Sequence, residues 1–349
     1  MALAIQDPAR GYLRDILDQP EALRATLEGL RHASDLGDIP VRLAQGDLRR
    51  VVLTGMGSSL HALYPLFYRL ARSGFAPLMI ETSELIHYAR ELLEPGTLLV
   101  AVSQSGRSAE IVRLLEQVKQ TATLVAVTNT AGSPLALQAD RVVLTRAGEE
   151  ASVSCKTYVA ALMALSWLGD ALCGEDAHAG LEKLSGAGEA VSCYLADWEG
   201  HVRALMAGLQ SVRHLFLVGR GPSLAAAETG GLITKESAHF HAEGMSSAAF
   251  RHGPLEMVAA DTMVLVFAGE AGTSELNRRL ADDVRRAGGR SALVVQDETP
   301  GPFNLPASDD VVRPMLEILP VEMMTVALAE LHGREAGAFE RASKVTSEE

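Results

Sequence analysis

The chain has 349 residues, of which 48% are hydrophobic and 21% charged; this excludes wholesale disorder and leaves room for two domains, or one large one, with a sizeable core. A formal net charge of −13 and only 5% aromatics argue against a general nucleic-acid binder, but not against a local pocket for a small anion. Three cysteines, Cys155, Cys173 and Cys193, with no CxxC pair, exclude a disulfide scaffold or a cysteine-rich zinc module.

The N-terminus has no basic segment followed by an apolar stretch, so no signal peptide is expected. Residues 1–38 read as mostly helical, with a second helix start at Pro20 and Glu21 and a turn over 34–38. Short continuous apolar runs at 51–53, 77–80, 98–102, 123–127 and 141–144 read as strands buried on both faces. Amphipathic stretches lie between them. Over 108–119, Ile111, Leu114, Leu115 and Val118 share one helical face. Residues 152–158 make a polar entry to an apolar helix. That apolar run, 158–169, is too short to span a bilayer, so a cytoplasmic protein with no membrane partner is expected. Residues 177–210 read as helix, and 341–349 as a short polar tail. Strand–helix alternation implies an α/β fold with parallel sheets flanked by helices, and ligands beyond the carboxyl ends of the strands.

The chain also repeats itself. VVLTGMGSSLHA (51–62) matches LFLVGRGPSLAA (215–226), aligning Gly55 and Gly57 with Gly219 and Gly221. In the same order, 97–118 matches 261–282 and 122–129 matches 291–298. Such a succession points to two copies of one unit.

Four places could carry chemistry. Gly55-Met56-Gly57-Ser58-Ser59 follows a strand. It reads as a dinucleotide fingerprint with Glu81 in the ribose-binding position, against which Leu60 takes the place of the third glycine, or as a tight turn without a ligand. Ser103-Gln104-Ser105-Gly106-Arg107-Ser108 joins a strand to a helix. Its hydroxyls and backbone amides at a helix N-terminus suit a phosphate, beyond what a simple N-cap by Ser105 or Ser108 needs. The third place gathers Lys235, Glu236, His239, His241, Glu243, Arg251 and His252 within 235–252. Three readings stand: a metal site from His239, His241, Glu243 and His252; acid–base catalysis with a Glu base and a His acid; or a solvated polar face. The fourth is Lys344 in Ser343-Lys344-Val345-Thr346, a solvated tail lysine unless the tail folds over a site.

These motifs, in this order, resemble the double SIS (sugar isomerase) domain family. The likeness is to the isomerase half of glutamine–fructose-6-phosphate aminotransferase (glucosamine-6-phosphate synthase) and to amino-sugar-phosphate deaminases. It covers roughly 35–349 and rests on Gly57-Ser58-Ser59, Thr82-Ser83-Glu84, Ser103-Gln104-Ser105-Gly106, the 152–157 segment, Lys235-Glu236, His241-Ala242-Glu243, Arg251-His252-Gly253-Pro254-Leu255 and Lys344. The resemblance implies two tandem SIS domains, each a flavodoxin-like three-layer sandwich. The expected division is an N-terminal helical segment (1–38), a first SIS domain (39–178), a helical linker (179–210) and a second SIS domain with the tail (211–349).

The resemblance also implies roles. Ser103, Gln104, Ser105 and Ser108 would hold a sugar phosphate, and Ser58 and Ser59 would line the sugar pocket. Either Ser154 or Cys155 would sit opposite, because this segment is one residue shorter than in the synthase. Glu236 would move a proton between carbons 1 and 2. His252 would open the sugar ring from a neighbouring subunit, which implies a homodimer with shared sites. Lys344 would form a Schiff base with the open ketose. No metal or other cofactor is implied. The sequence also departs from the synthase. With Ala at residue 2, no glutamine-hydrolysing domain is expected, and ammonia is the expected nitrogen source. Ile233 stands where the synthase has a lysine, and Arg107 where it has an acid. The second copy has GEAGTS where the first has its serine loop, so one sugar site per chain is expected. The activity implied is interconversion of glucosamine 6-phosphate and fructose 6-phosphate. A fructosamine-6-phosphate deglycase and a non-catalytic sugar-phosphate sensor are the alternatives.

Overall fold

The computed structural model describes residues 7–8, 11–33, 35–118, 122–341 and 343–344. The chain forms two compact units. One comprises Glu21–Glu149, Lys156–Ser185 and Ala342–Glu349, the other Met1–Pro20, Glu150–Cys155 and Gly186–Arg341. Each contains one parallel five-stranded sheet.

In the first unit the strands are β1 (Arg50–Gly55), β2 (Pro77–Glu81), β3 (Thr97–Val102), β4 (Thr123–Thr128) and β5 (Arg141–Leu144), ordered β2-β1-β3-β4-β5. Every residue of β3 is buried. Successive side chains of a strand point to opposite faces, so both faces of this sheet are covered. On one face Val52, Leu99, Ala101, Leu124 and Ala126 pack with Ile111, Leu114 and Leu115 of the helix Ala109–Val118 and with Leu85 and Ile86 of the helix Thr82–Tyr88. The apolar helix Lys156–Leu172 packs with β4 and β5.

The second unit repeats this plan with β6 (His214–Gly219), β7 (Ala242–Ser246), β8 (Thr262–Phe267), β9 (Arg290–Gln296) and β10 (Asn304–Leu305), ordered β10-β9-β8-β6-β7. Read from the second strand of each copy, both sheets have the flavodoxin-like order 2-1-3-4-5. Phe216, Val218, Val264 and Val266 pack with Phe250, Leu280 and Val284, and the Phe216 and Phe250 rings meet edge to face at 5.2 Å. Among the described residues no helix is long and apolar enough to cross a membrane.

Strand register corrects the residue-by-residue pairing of the two copies. Val51 lies beside Leu98 and Leu215 beside Met263, so Leu98 corresponds to Met263, not to Thr262. Leu98 lies beside Thr123 and Met263 beside Arg290, so Thr123 corresponds to Arg290, not to Ala292. Strands buried on both faces carry no polar alternation, so their sequences do not reveal a slip of one or two residues.

The helix Leu224–Ala238 approaches its sheet unusually closely. A Cβ at Gly231 would stand 2.5 Å from the Gly244 amide nitrogen, and one at Gly244 would overlap the Ala227 carbonyl. Two facing glycines thus let helix and strand β7 touch backbone to backbone. Gly231→Val is expected to lower unfolding stability by about 3 kcal/mol, read from the urea midpoint, with Gly231→Ala intermediate. An unchanged midpoint in both would contradict the close approach.

Candidate functional site

In a doubly wound sheet the crevice opens where neighbouring crossovers leave to opposite faces, beyond the carboxyl ends of the first and third strands. In the first unit these ends carry the two serine motifs. After β1, Gly57 adopts φ 50° and leads into the short helix Ser58–His61. A Cβ at Gly55 would stand 2.9 Å from the Leu60 nitrogen, so only glycine lets the loop fold back over the strand end. Ser58 is buried and Ser59 half-buried.

After β3 the 103–108 loop is held on several sides. The Ser103 amide donates to the Val127 carbonyl at 3.0 Å, and the Gln104 carbonyl accepts from the Asn129 amide at 3.1 Å. Gly106 sits at φ 62°, where a side chain would overlap the Ser133 hydroxyl. Ser103 Oγ accepts from the Gly106 amide at 3.1 Å, and Ser105 Oγ from the Arg107 amide at 3.3 Å. These two amides, expected to be open for a ligand, are therefore taken by the loop itself. Each serine hydroxyl keeps its own proton to donate. Beyond them begins the helix Ala109–Val118, whose first amides have no partner within the helix and carry its positive dipole end. Gln104, Ser105 and Ser108 are half-buried, and Arg107 is exposed. The arrangement offers donors to an anion without needing a basic surface.

The acid–base candidates belong to the second unit. Glu236 is half-buried near the end of the helix Leu224–Ala238, with Ile233 fully buried one turn before it. Lys235 donates to the Ala242 carbonyl at 2.9 Å, and burial lowers its pKa against the pull of Glu243 and Glu236. His239 ends the helix in the left-handed conformation, φ 50°. His252 is exposed just after the helix Ser247–Arg251, while Arg251 pairs with Asp283 at 2.5 Å. His239 bonds to Arg334 at 3.1 Å, and His241 lies 3.6 Å from Glu243. Among the described residues no group of three or more His, Cys, Asp or Glu could hold a metal ion.

Ser154 is half-buried and Cys155 fully buried. Glu150 Oε1 accepts from the Cys155 amide at 3.0 Å and lies 3.6 Å from its sulfur. The thiol is thereby engaged with Glu150, and Ser154 is the more accessible of the two candidates. Lys344 is half-buried and grouped with the first unit. Val345 and Thr346 lie outside the described residues.

Sequence reasoning missed the buried acids of the second unit. Glu322 Oε2 accepts from Gln19 at 2.6 Å, and burial, opposed by that bond, raises its pKa well above the ordinary value. The fully buried Tyr12, its pKa raised by burial and then by Glu322, feels Cys155 and Glu236 as well. Glu317 accepts from the Ser223 hydroxyl at 2.9 Å. Burial raises its pKa to about 7; the Ser223 bond and Arg313 oppose this and Glu270 adds to it. The legible signal was a lone acid inside each of two strongly apolar runs.

With fold and geometry in hand, the family follows from comparison. The SIS domain pattern matches residues 47–169 and 208–303. The chain belongs to the SIS domain family. It is 29% identical over 343 residues to glutamine–fructose-6-phosphate aminotransferase (isomerizing) of Thermococcus kodakarensis, covering 93% of this chain and 55% of that protein. This SIS chain therefore spans about half the length of such relatives. Its fold matches the C-terminal domain of glucosamine-fructose-6-phosphate aminotransferase from Francisella tularensis, with TM-score 0.81, 21% identity, and coverage of 93% of this chain and 97% of that one. It also matches glucosamine-6-phosphate deaminase from Thermotoga maritima, with TM-score 0.74, 18% identity, and coverage of 96% and 99%.

Glu317 gives this SIS chain a defined pH response. Between pH 4.5, its ordinary pKa, and about 7, the unfolded chain loses this proton while the folded chain keeps it. Folding stability then falls with rising pH, by about 3 kcal/mol from this group, and stays down above pH 7. In urea titrations the stability of Glu317→Gln relative to the natural protein should rise by that order from pH 4.5 to 7.5. A pH-independent difference would show that Glu317 titrates normally.

Proposed function

We propose that this SIS-family chain is a sugar-phosphate isomerase and deaminase that interconverts an amino-hexose 6-phosphate, such as glucosamine 6-phosphate, with the corresponding ketose 6-phosphate and ammonia. The observation that carries this reading is the serine loop at the switch point of the first sheet. It presents hydroxyls and a ten-residue helix N-terminus to an anion, in a chain too acidic to hold one by bulk charge. Ser103, Gln104, Ser105 and Ser108 bind the phosphate. Ser58 and Ser59 hold the sugar, together with Ser154 or Cys155, of which Ser154 is the more accessible.

Phosphate binding fixes the substrate at a point remote from the reacting carbons, so that binding energy orients the chain of carbons. His252 donates and accepts the proton needed to open the ring. Glu236 takes the proton from carbon 2 of the opened amino aldose and returns it to carbon 1, leaving an imine at carbon 2. The Lys344 amine adds to that imine and expels ammonia. Water then releases the ketose and restores the lysine, so the sum is amino sugar phosphate plus water to ketose phosphate plus ammonia. The reverse reaction consumes free ammonia. His252 is exposed on its own unit, which suits a residue lent to a second copy, and the working form is a homodimer.

The test is ammonia release from hexosamine 6-phosphates, run beside amine release from fructosamine 6-phosphates. Glu236→Gln is expected to lose at least a hundredfold in kcat. Ser105→Ala is expected to raise KM about tenfold, since a hydrogen bond to a charged group is lost. Amine release from the second panel alone would replace this reaction with deglycation. Sugar-phosphate binding without turnover would leave a sensor.

Sharing of the site has its own test. His252→Ala and Glu236→Gln subunits, each inactive alone, should regain up to about a quarter of natural activity when mixed and allowed to exchange. Subunits that exchange but stay inactive would rule out a shared site.

A further inference from the structure

The segment 334–340, which leads to Lys344, is fastened to the end of the helix that carries Glu236. Arg334 donates to His239 Nδ1 at 3.1 Å and to Glu340 Oε1 at 2.7 Å. His239 Nδ1 lies 3.8 Å from the same Glu340 oxygen, and its Nε2 lies 3.3 Å from the Ala338 carbonyl oxygen. Between these contacts Gly337 donates its amide to the Ser237 carbonyl at 2.9 Å. Gly337 sits at φ 78°, and a Cβ there would overlap Tyr12. The segment is thus pinned in the middle by backbone and held at both ends by charge. His332 and Glu335 join these residues in lining a cleft of about 390 Å³, which leaves the strap room to shift.

We infer that His239, Arg334 and Glu340 form a clasp that positions the tail bearing Lys344, making Arg334 a positioning residue for the reaction. The inference rests on the proposed function for the role of Lys344. The clasp itself rests on geometry. His239 follows Glu236 by three residues, about 4.5 Å along a helix axis. Lys344 follows Glu340 by four residues, a span of at most about 14 Å. Closing the clasp therefore limits how far the lysine can stray from the carboxylate's helix, through chain connectivity alone. Arg334 and Glu340 are 43% and 50% exposed, and exposed ion pairs are individually weak.

The test uses the full chain with Arg334→Gln, Glu340→Gln, the conservative Arg334→Lys, and the charge swap Arg334→Glu with Glu340→Arg. Trypsin cleavage after Arg341 and Lys344, followed by intact mass, reads the tail directly. Cleavage should speed up at least fivefold in the two Gln variants at unchanged melting temperature. It should return toward the natural rate in Arg334→Lys and in the swap. With glucosamine 6-phosphate, the Gln variants should lose about tenfold in kcat with KM within twofold. Borohydride trapping of fructose 6-phosphate on Lys344 should fall in parallel. Unchanged cleavage in both Gln variants overturns the clasp. Faster cleavage with natural kcat and trapping overturns the positioning role. If the natural protein neither turns over nor traps any sugar phosphate, it is the proposed function that fails, and the cleavage rates still decide the clasp.

Discussion

A parallel strand cannot be followed by a hairpin. Each crossover must return the chain to the same end of the sheet, so every loop that follows a strand emerges at one edge. That constraint organises both units. It places the loops after β1 and β3 together, and those after β6 and β8 together, at points where crossovers part to opposite faces. Nothing about the serine loop is a site by composition alone. Its claim to be one rests on position: two neighbouring strands end there, and the next helix starts there with amides that have no partner within the helix. The glycines serve the same end, since Gly55 and Gly106 occupy positions where any side chain would displace backbone or overlap Ser133.

The electrostatics are local in the same sense. A chain with net charge −13 repels anions at long range, yet a phosphate is read at short range, by donors within hydrogen-bonding distance. The 103–108 loop uses some of its own donors to hold its shape. Two amides are spent on Ser103 and Ser105, and in return the oxygens of those serines are fixed while each hydroxyl keeps a proton to donate. A rigid loop of this kind loses little entropy on binding, which suits a phosphate handle whose purpose is orientation.

Much of this was legible in the sequence, for physical reasons that also mark where legibility stopped. Strands β1, β3 and β4 stood out because buried parallel strands are short, unbroken apolar runs; the edge strands β2 and β5 read the same way but are only partly buried, with Leu78 exposed, because an edge has a neighbour on one side alone. The helix over 109–118 stood out because its apolar residues keep one face. Register was not legible, since strands without alternation look alike when slipped. The proposed clasp was invisible because His239 and Arg334 lie 95 residues apart and each member, alone, is an ordinary polar residue. The metal reading of His239, His241, Glu243 and His252 treated nearness in sequence as nearness in space. His239 turns to Arg334 at the helix end, while His241 lies just before β7, 3.6 Å from Glu243. That Glu150 engages the Cys155 thiol while Ser154 stays half-buried was likewise not legible, since neighbouring residues look alike in a polar segment.

The two copies show how one backbone plan takes on different chemistry. Ser59 and Ser223 hold the same place in the Gly-x-Gly-x-Ser-Leu turn, and both turns keep a positive-φ second glycine, Gly57 and Gly221. Ser59 is half-buried at its crevice. Ser223 is 2% exposed and gives its proton to Glu317, an acid so deprived of water that its pKa climbs to about 7. A Cβ at Gly269, the turn after β8, would come within 3.2 Å of that same Ser223 hydroxyl. The second turn therefore directs its serine inward, to a carboxyl on the helix Arg313–Glu317, where the first leaves Ser59 half-buried. The glycine geometry survived duplication because the strand-to-helix turn demands it in both copies. The polar equipment was free to diverge, because a serine at that position can satisfy its hydrogen bonds with a ligand or with a buried acid, and the fold is stable either way.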